Sequence, residues 1–150
     1  MSTGLVRYIA GLSSRWRSRF SSSPPRHLRL GARGENLACR FLRKNGYKIL
    51  YRNFKGRTGG EIDVVCRDRD TLVFVEVKTR TSEDFGRPLD AVDRDKRKRV
   101  SRGGLAWLRL LDDPDILFRF DVVEVIIAEG AEPRLEILQN AFSLPEPYIY

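Results

Sequence analysis

Residues 59–80 read GGEIDVVCRDRDTLVFVEVKTR, and this stretch decides the fold. The segments 61–66 and 71–79 are rich in β-branched and aromatic residues, while the residues between them are charged. Two apolar segments joined by a short polar connection are typical of a β-hairpin. The stretch therefore predicts two antiparallel strands, with acidic residues on both and a lysine on the second.

The charged residues of this hairpin form a candidate site. Because side chains alternate across a strand, Glu76 and Lys78 are expected on one face, as are Glu61 and Asp63 on the preceding strand. The hairpin would place the Asp63 and Glu76 carboxylates close together, with the Lys78 amine beside them. Two carboxylates and an amine at one point suit a hard divalent cation and an activated water.

A purely structural explanation competes with this site. A Glu-x-Lys pair on an exposed strand is usually a solvated ion pair. Here the preceding residues 72–75 are apolar on both faces, which indicates a strand covered on both sides. A charged pair that continues a buried strand is costly unless something compensates for it. A metal or substrate would compensate, and so would a partly wetted sheet end without function.

Composition indicates one globular domain and excludes several chemistries. The chain has 150 residues, 41% hydrophobic and 32% charged, and no apolar run approaches the roughly 20 residues of a membrane span. Cys39 and Cys66 form no CxxC pattern, so both thiols are expected to be free in a reducing compartment. The single histidine, His27, argues against a histidine nuclease, a Ser-His-Asp hydrolase and a Cys/His zinc site.

The positive charge is concentrated in the N-terminal part. The net charge is +8, yet residues 1–34 hold seven arginines and no acid, so that 21 basic residues face 20 acidic ones in the remainder. We expect a basic, flexible arm over residues 1–28 and an α/β domain over 29–150. The arm would contact nucleic acid or an anionic surface, act as a transit-type targeting helix, or remain a solvated tail. The compartment is then the cytoplasm, or a site to which the arm tethers the protein.

The remaining patterns predict the order αβββαββ and a mixed sheet flanked by helices. Glu35 falls in the first turn of the first predicted helix, where the helix dipole favours a carboxylate. Gly46 is placed to end that helix. The Gly103-Gly104 pair predicts close packing, a kink or a break in the second helix. The predicted helices cover 31–45 and 90–111, and the predicted strands cover 47–53, 61–66, 71–79, 118–128 and 134–138.

Five motifs resemble the bacterial YraN-type family. In chain order they are Gly34-Glu35-x-x-Ala38, Gly46-Tyr47-x-Ile49-Leu50-x-Arg52-Asn53, Gly60-Glu61-Ile62-Asp63, Val73-Phe74-Val75-Glu76-Val77-Lys78-x-Arg80 and Phe85-Gly86-x-Pro88. The resemblance covers residues 30–140 and leaves the arm outside. That family is placed with the restriction-endonuclease-like PD-(D/E)xK nucleases and is similar to archaeal Holliday junction resolvases. The resemblance implies a restriction-endonuclease-like mixed β-sheet flanked by helices.

The resemblance also implies roles for individual residues in a nuclease. Asp63 and Glu76 match the metal-binding acids, and the backbone carbonyl of Val77 would complete that edge. Lys78 matches the lysine that orients or deprotonates the attacking water. Glu35 matches an acid on the first helix that reaches the metal directly or through water. The implied cofactor is Mg²⁺ or Mn²⁺, with no small-molecule cofactor.

The expected partner is DNA, with branched DNA among the candidate substrates and a homodimer as an open alternative to a monomer. The chain has no helix-turn-helix, zinc-finger or RNA-recognition motif. Shape or junction geometry is therefore favoured over base readout. The candidate DNA contacts are Lys55, Arg57, Arg80, Lys96 and Arg97.

Three functions follow from these features. The first is a Mg²⁺-dependent, structure-selective DNA endonuclease of DNA repair or recombination. The second is a non-catalytic nucleic-acid-binding or interaction protein of the same fold that acts in DNA processing. The third is an interaction protein tethered to a membrane or larger assembly by its arm. Intact acid and lysine positions favour the first over the second.

Overall fold

A five-stranded mixed sheet with one helix on each face forms the domain. The computed structural model describes residues 24–82, 93–111 and 115–144. The elements are α1 (Arg26–Lys44), β1 (Lys48–Lys55), β2 (Glu61–Asp68), β3 (Thr71–Arg80), α2 (Arg94–Leu108), β4 (Phe118–Ile126) and β5 (Arg134–Phe142). The strands stand in chain order across the sheet. Strands β3 and β4 pair in parallel across the α2 connection, and the other neighbouring pairs are antiparallel.

The predicted order αβββαββ and the fold class are confirmed, with shifted boundaries. Helix α1 begins at Arg26 and not at residue 31, because the chain turns into the helix directly after Pro25. Helix α2 begins at Arg94, where the Asp93 side chain accepts a hydrogen bond of 2.7 Å from the Lys96 N–H. The arm up to residue 23 and the predicted loop around Phe85–Pro88 lie outside the described residues. No helix among the described residues is long and apolar enough to cross a membrane.

Helix α1 packs so closely on β3 that only glycine fits at the contact. A Cβ atom on Gly34 would overlap the Thr79 side chain, whereas a Cβ on Gly31 would meet nothing within 4 Å. The apolar stripe of α1 completes one core with the sheet face that carries Val64, Val75 and similar residues. The helix ends where predicted, because Gly46 has φ +87°, a left-handed conformation that glycine adopts without strain.

Helix α2 covers the opposite face of the sheet. The pair Gly103-Gly104 makes a close contact without breaking the helix: a Cβ on Gly103 would lie 3.0 Å from the Glu61 backbone, and one on Gly104 would lie 3.0 Å from the Phe120 ring. Trp107 packs edge-on against Phe54, with ring centroids 5.0 Å apart. The contact of Gly103 with the Glu61 backbone brings the start of β2 against α2, which positions the candidate site.

A buried aspartate fixes the far end of the sheet. Asp121 is fully buried at a register shift between β4 and β5, where it accepts hydrogen bonds from the Arg119 Nε at 2.9 Å and the Asn140 N–H at 2.8 Å. The same guanidinium donates to Asp68 at 2.9 Å. These paired charges satisfy each other, so we assign them to the architecture of the sheet.

The contact between Gly34 and Thr79 gives a test of the packing. Gly34→Ala should lower the free energy of unfolding by about 1–3 kcal/mol, because an added methyl overpacks a buried contact. Gly31→Ala, on the same helix, should instead raise it by about 0.5–1 kcal/mol through helix propensity. Urea unfolding of both variants measures the difference, and Thr79→Ala should partly restore Gly34→Ala. Equal effects of the two alanines would contradict the contact.

Candidate active site

The site forms where β2 separates from β3. Pairing between these strands begins at Val64 opposite Val75, so the preceding residue Asp63 has no backbone partner on β3. Its side chain takes that place, because Asp63 Oδ2 accepts a hydrogen bond of 2.8 Å from the Val77 N–H. The strand alternation is also interrupted here: Ile62 belongs to the α2 core and Val64 to the α1 core. The predicted proximity of Asp63 to the Glu76-Val77 segment is therefore present.

Glu76 is the buried centre of the site. Its side chain is 2% exposed, and its Oε1 lies 3.7 Å from Lys78 Nζ and 3.4 Å from Lys96 Nζ. Its Oε2 is buried without a hydrogen-bond partner. Burial and, after it, the nearby Asp63 carboxylate together raise the pKa of Glu76 to about 8, although Lys96 and Lys78 act to lower it. With this pKa the carboxyl group is largely protonated at neutral pH, and one of its oxygens has no partner. A bound cation would favour its ionised form.

Lys96 is a second lysine of the site, which the sequence analysis placed among the DNA contacts. Its Nζ reaches down from α2 and lies 2.7 Å from Glu61 Oε1. The side chain is 14% exposed, so it is enclosed by the site and not presented to an outer surface. The spacing contained a signal for this position, because Lys96, Val100, Gly103 and Trp107 share one helix face at i, i+4, i+7 and i+11.

Glu61 serves mainly as the partner of these cations. The hydrogen bond from Lys96 lowers the pKa of Glu61, and Arg99 lies 3.8 Å from the same Oε1. Glu61 is therefore an ionised neighbour of the site.

Glu35 lies in the middle of α1 and not in its first turn. The dipole explanation for this carboxylate therefore fails, because the helix begins at Arg26. Burial raises the pKa of Glu35, and the Asp63 carboxylate raises it further. A hydrogen bond with Asn53 and the Arg52 guanidinium, 3.9 Å from Glu35 Oε2, oppose this effect. The coupling to Asp63 links Glu35 to the same group of charges.

The donor set fits a divalent ion in part. Asp63 and Glu76 offer carboxylate oxygens, the ligands that Mg²⁺ and Mn²⁺ prefer, and one of these oxygens is buried without a partner. Among the residues that the structure describes, no group of three or more His, Cys, Asp or Glu side chains is arranged to hold an ion. A metal here would bind to two side chains, a backbone carbonyl and water, and Glu35 would act through water.

The other predicted DNA contacts divide into two groups. Lys55 and Arg57 are exposed at the end of the β1–β2 hairpin, beside the start of β2. Arg80 instead pairs with the buried Glu124 on β4 at 2.9 Å, and Arg97 lies over the Phe142 ring at 5.9 Å. The first pair remains available to a phosphate backbone. The second pair makes contacts within the domain, which sequence patterns did not indicate because both partners are distant in the chain.

These features define a class of protein. A mixed sheet flanked by helices, with two acids and a lysine at the strand ends, has the restriction-endonuclease-like architecture. The model of the uncharacterised protein family UPF0102 matches residues 34–125 of this chain. The chain belongs to this family, which is the YraN-type family named above.

Curated relatives agree with the family model. A UPF0102 protein of Geobacter metallireducens is 48% identical over 115 residues, which are 77% of this chain and 93% of the relative. One from Nocardia farcinica is 47% identical over 113 residues, or 75% of this chain and 88% of the relative. One from Rhodococcus opacus is 41% identical over 116 residues, or 77% and 98%. The similarity therefore extends over nearly the whole length of these relatives.

The raised pKa of Glu76 predicts how stability depends on pH. Between the ordinary glutamate pKa near 4.5 and the folded value of about 8, the unfolded chain loses this proton while the folded chain keeps it. The free energy of unfolding should therefore fall as pH rises through this window, by about 3–5 kcal/mol, and level off above it. Glu76→Gln should remove this fall.

Chemical denaturation in EDTA at several pH values measures the effect. Glu132→Gln, at an exposed position, is the control and should keep the wild-type pH dependence. If the wild type and Glu76→Gln gave parallel curves, Glu76 would not be the group that titrates.

Proposed function

We propose that this protein is a metal-dependent, structure-selective DNA endonuclease that hydrolyses phosphodiesters in the bacterial cytoplasm, in DNA repair or recombination. The observation that carries the proposal is the buried Glu76 carboxyl, which lies beside Asp63 and two lysines and has an unpartnered oxygen. Strongly perturbed ionisable groups held together at the ends of inner strands are typical of functional sites. Family membership adds the matching motifs but no named activity.

The chain's own residues would divide the work as follows. Asp63, Glu76 and the Val77 carbonyl would hold Mg²⁺ or Mn²⁺, which would supply a polarised water and neutralise charge on the phosphate. Lys78, 29% exposed and 3.7 Å from Glu76, would orient the attacking water and stabilise charge on the reacting phosphate. Lys96 would keep Glu61 in place and limit repulsion among the acids. Lys55 and Arg57 would hold the phosphate backbone at the mouth of the site.

One observation favours a second candidate, a nucleic-acid-binding protein without catalysis. Two lysines already contact Glu76 Oε1, and a third cation reaches Glu61, so the acids have protein cations as partners. A binding module would use this network only to fix α2 against the sheet. The two candidates differ in metal binding, because the module has no need of an ion and the nuclease requires one.

Asp63→Asn separates these candidates at the metal. The nuclease proposal expects Mn²⁺ binding by the wild type in calorimetry, an affinity at least about tenfold lower for Asp63→Asn, and no cleavage by the variant. The fold should persist, because an asparagine oxygen can still accept the Val77 N–H. Asp70→Asn, in the exposed β2–β3 turn, is the matched control and should behave as wild type.

A panel of branched, single-stranded and duplex DNA with Mg²⁺ or Mn²⁺ provides the activity readout. Normal cleavage by Asp63→Asn would remove this residue from the mechanism. Absence of both Mn²⁺ binding and cleavage in the wild type would favour the binding module.

Lys78→Met tests the lysine without removing its bulk. Cleavage should fall by about 10²–10³-fold, because the group acts on the reacting phosphate and water. DNA affinity should change little, because one phosphate contact among many is lost. Lys48→Met is the control, because Lys48 is exposed at the start of β1, and the site lies beyond the end of that strand. If Lys78→Met lost thermal stability but kept full activity per folded molecule, the Glu76–Lys78 pair would be structural.

A further inference from the structure

The outer face of α1 carries an unusual stripe of positive charge. With about 100° of rotation per residue, six cations fall within one sector roughly 100° wide, directly opposite the buried positions Gly34, Ala38 and Leu42. All six are exposed. We call this set the α1 stripe; it comprises Arg26, Arg29, Arg33, Arg40, Arg43 and Lys44.

The α1 stripe has no acidic partner among the residues that the structure describes. Glu35 is the only acid on this helix, and it points to the site and not to the stripe. No member of the stripe makes an ion pair with another residue that the structure describes. The positive charge therefore faces solvent along the whole helix.

Helix stability does not explain the arginines in the first half of α1. Arg29 lies three residues after Arg26 and four before Arg33, and like charges at these spacings destabilise a helix. The first turn contains no acid, and the helix has no side-chain N-cap, so the helix dipole disfavours the first arginines as well. The last turn differs, because the helix dipole favours Arg43 and Lys44 there. The arginines of the first half of α1 oppose the stability of their own helix, and this arrangement indicates an anionic partner.

We propose that the α1 stripe binds the phosphate backbone of a nucleic-acid duplex, on the face of the sheet opposite to α2. From Arg26 to Arg43 the helix rises about 25 Å, which matches roughly seven nucleotide steps of one strand. Guanidinium groups bind phosphate oxygens with two parallel hydrogen bonds, so arginine suits this role better than lysine. Five of the six cations are arginines.

Other polyanionic surfaces fit the face less well. A helix that lies on a membrane inserts an apolar face, but Leu30, Leu37 and Phe41 of α1 are packed against the sheet. The exposed Leu28 is a single apolar residue and does not form such a face. A protein interface is centred on buried aromatic or aliphatic anchors, and the stripe contains none between its cations. A duplex backbone requires charge alone.

The inference goes beyond the proposed function and does not depend on it. The α1 stripe lies on the other face of the sheet from α2 and contains none of the residues assigned to metal or water. A non-catalytic protein would bind through it equally. The α1 stripe, together with Lys55 and Arg57 beside the site, would give the protein two separate contacts with nucleic acid.

The salt dependence of DNA binding tests the proposal on the full chain. Fluorescence anisotropy with a labelled, mixed-sequence DNA duplex of about 20 base pairs, in EDTA and at several KCl concentrations, gives the slope of log K against log salt. Arg29→Gln with Arg33→Gln and Arg40→Gln should reduce the magnitude of this slope by about 2–3, since each lost phosphate contact removes about 0.9. Arg33→Gln alone should remove about 0.9.

A charge-matched triple variant provides the control. Lys48→Gln, Arg67→Gln and Arg109→Gln remove the same charge from exposed positions off this helix, and the slope should change by less than about 1. The α1 triple should melt at or above the wild-type temperature, because repulsion within the helix is relieved. Asp63→Asn should keep the wild-type slope, so loss of cleavage and loss of stripe binding are separate outcomes.

Three results would overturn the proposal. Equal slope changes in the two triples would show that only overall charge matters. An unchanged slope in the α1 triple and in Arg33→Gln would show that the stripe does not meet DNA. Binding to vesicles of phosphatidylserine and phosphatidylcholine that requires the stripe, with an unchanged DNA slope, would assign the surface to a membrane.

Discussion

The hydrogen bond from the Val77 N–H to the Asp63 carboxylate, 2.8 Å long, is the constraint on which the site depends. It exists because the pairing of β2 with β3 does not extend beyond the pair Val64–Val75. A backbone donor of β3 therefore needs another acceptor. The acceptor is a charged side chain, which is thereby held beside the buried Glu76. One bond thus completes the backbone pairing of the sheet and brings two like charges together.

The second feature on which the site depends is the repulsion between the Asp63 and Glu76 carboxylates. A buried carboxyl next to another carboxylate would lose stability on ionisation, and the lysines from β3 and α2 offset this effect incompletely. Structural ion pairs usually leave no oxygen without a partner, but here one oxygen of Glu76 has none. This oxygen without a partner distinguishes the cluster from the Arg119–Asp121 pair at the other end of the sheet, where both oxygens of Asp121 accept hydrogen bonds.

Local patterns in the sequence predicted the strands, the element order and the closeness of Asp63 to Glu76, because a hairpin is encoded by neighbouring residues. They did not predict the partners of Arg80 and Arg97, which depend on side chains from β4 and β5. The place of Lys96 in the site was also missed, because a basic run on a helix resembles a solvated face. The start of α1 was placed too late, at residue 31, because residues up to 28 were assigned to the basic arm, whereas the helix begins at Arg26. Gly34 lies within the helix and is required by the contact with Thr79.

Lys96 and Glu61 are 35 residues apart in the chain. This separation limits how the site could be transferred to another protein. The hairpin of β2 and β3 carries both acids and Lys78, and it is a compact unit that recombination or design could transplant. The cation that restrains its acids arrives from the crossover helix, which a graft of the hairpin would leave behind. In a new host only Lys78 would offset the repulsion between the carboxylates. The smallest unit that keeps this arrangement of charges is therefore the hairpin together with its crossover helix.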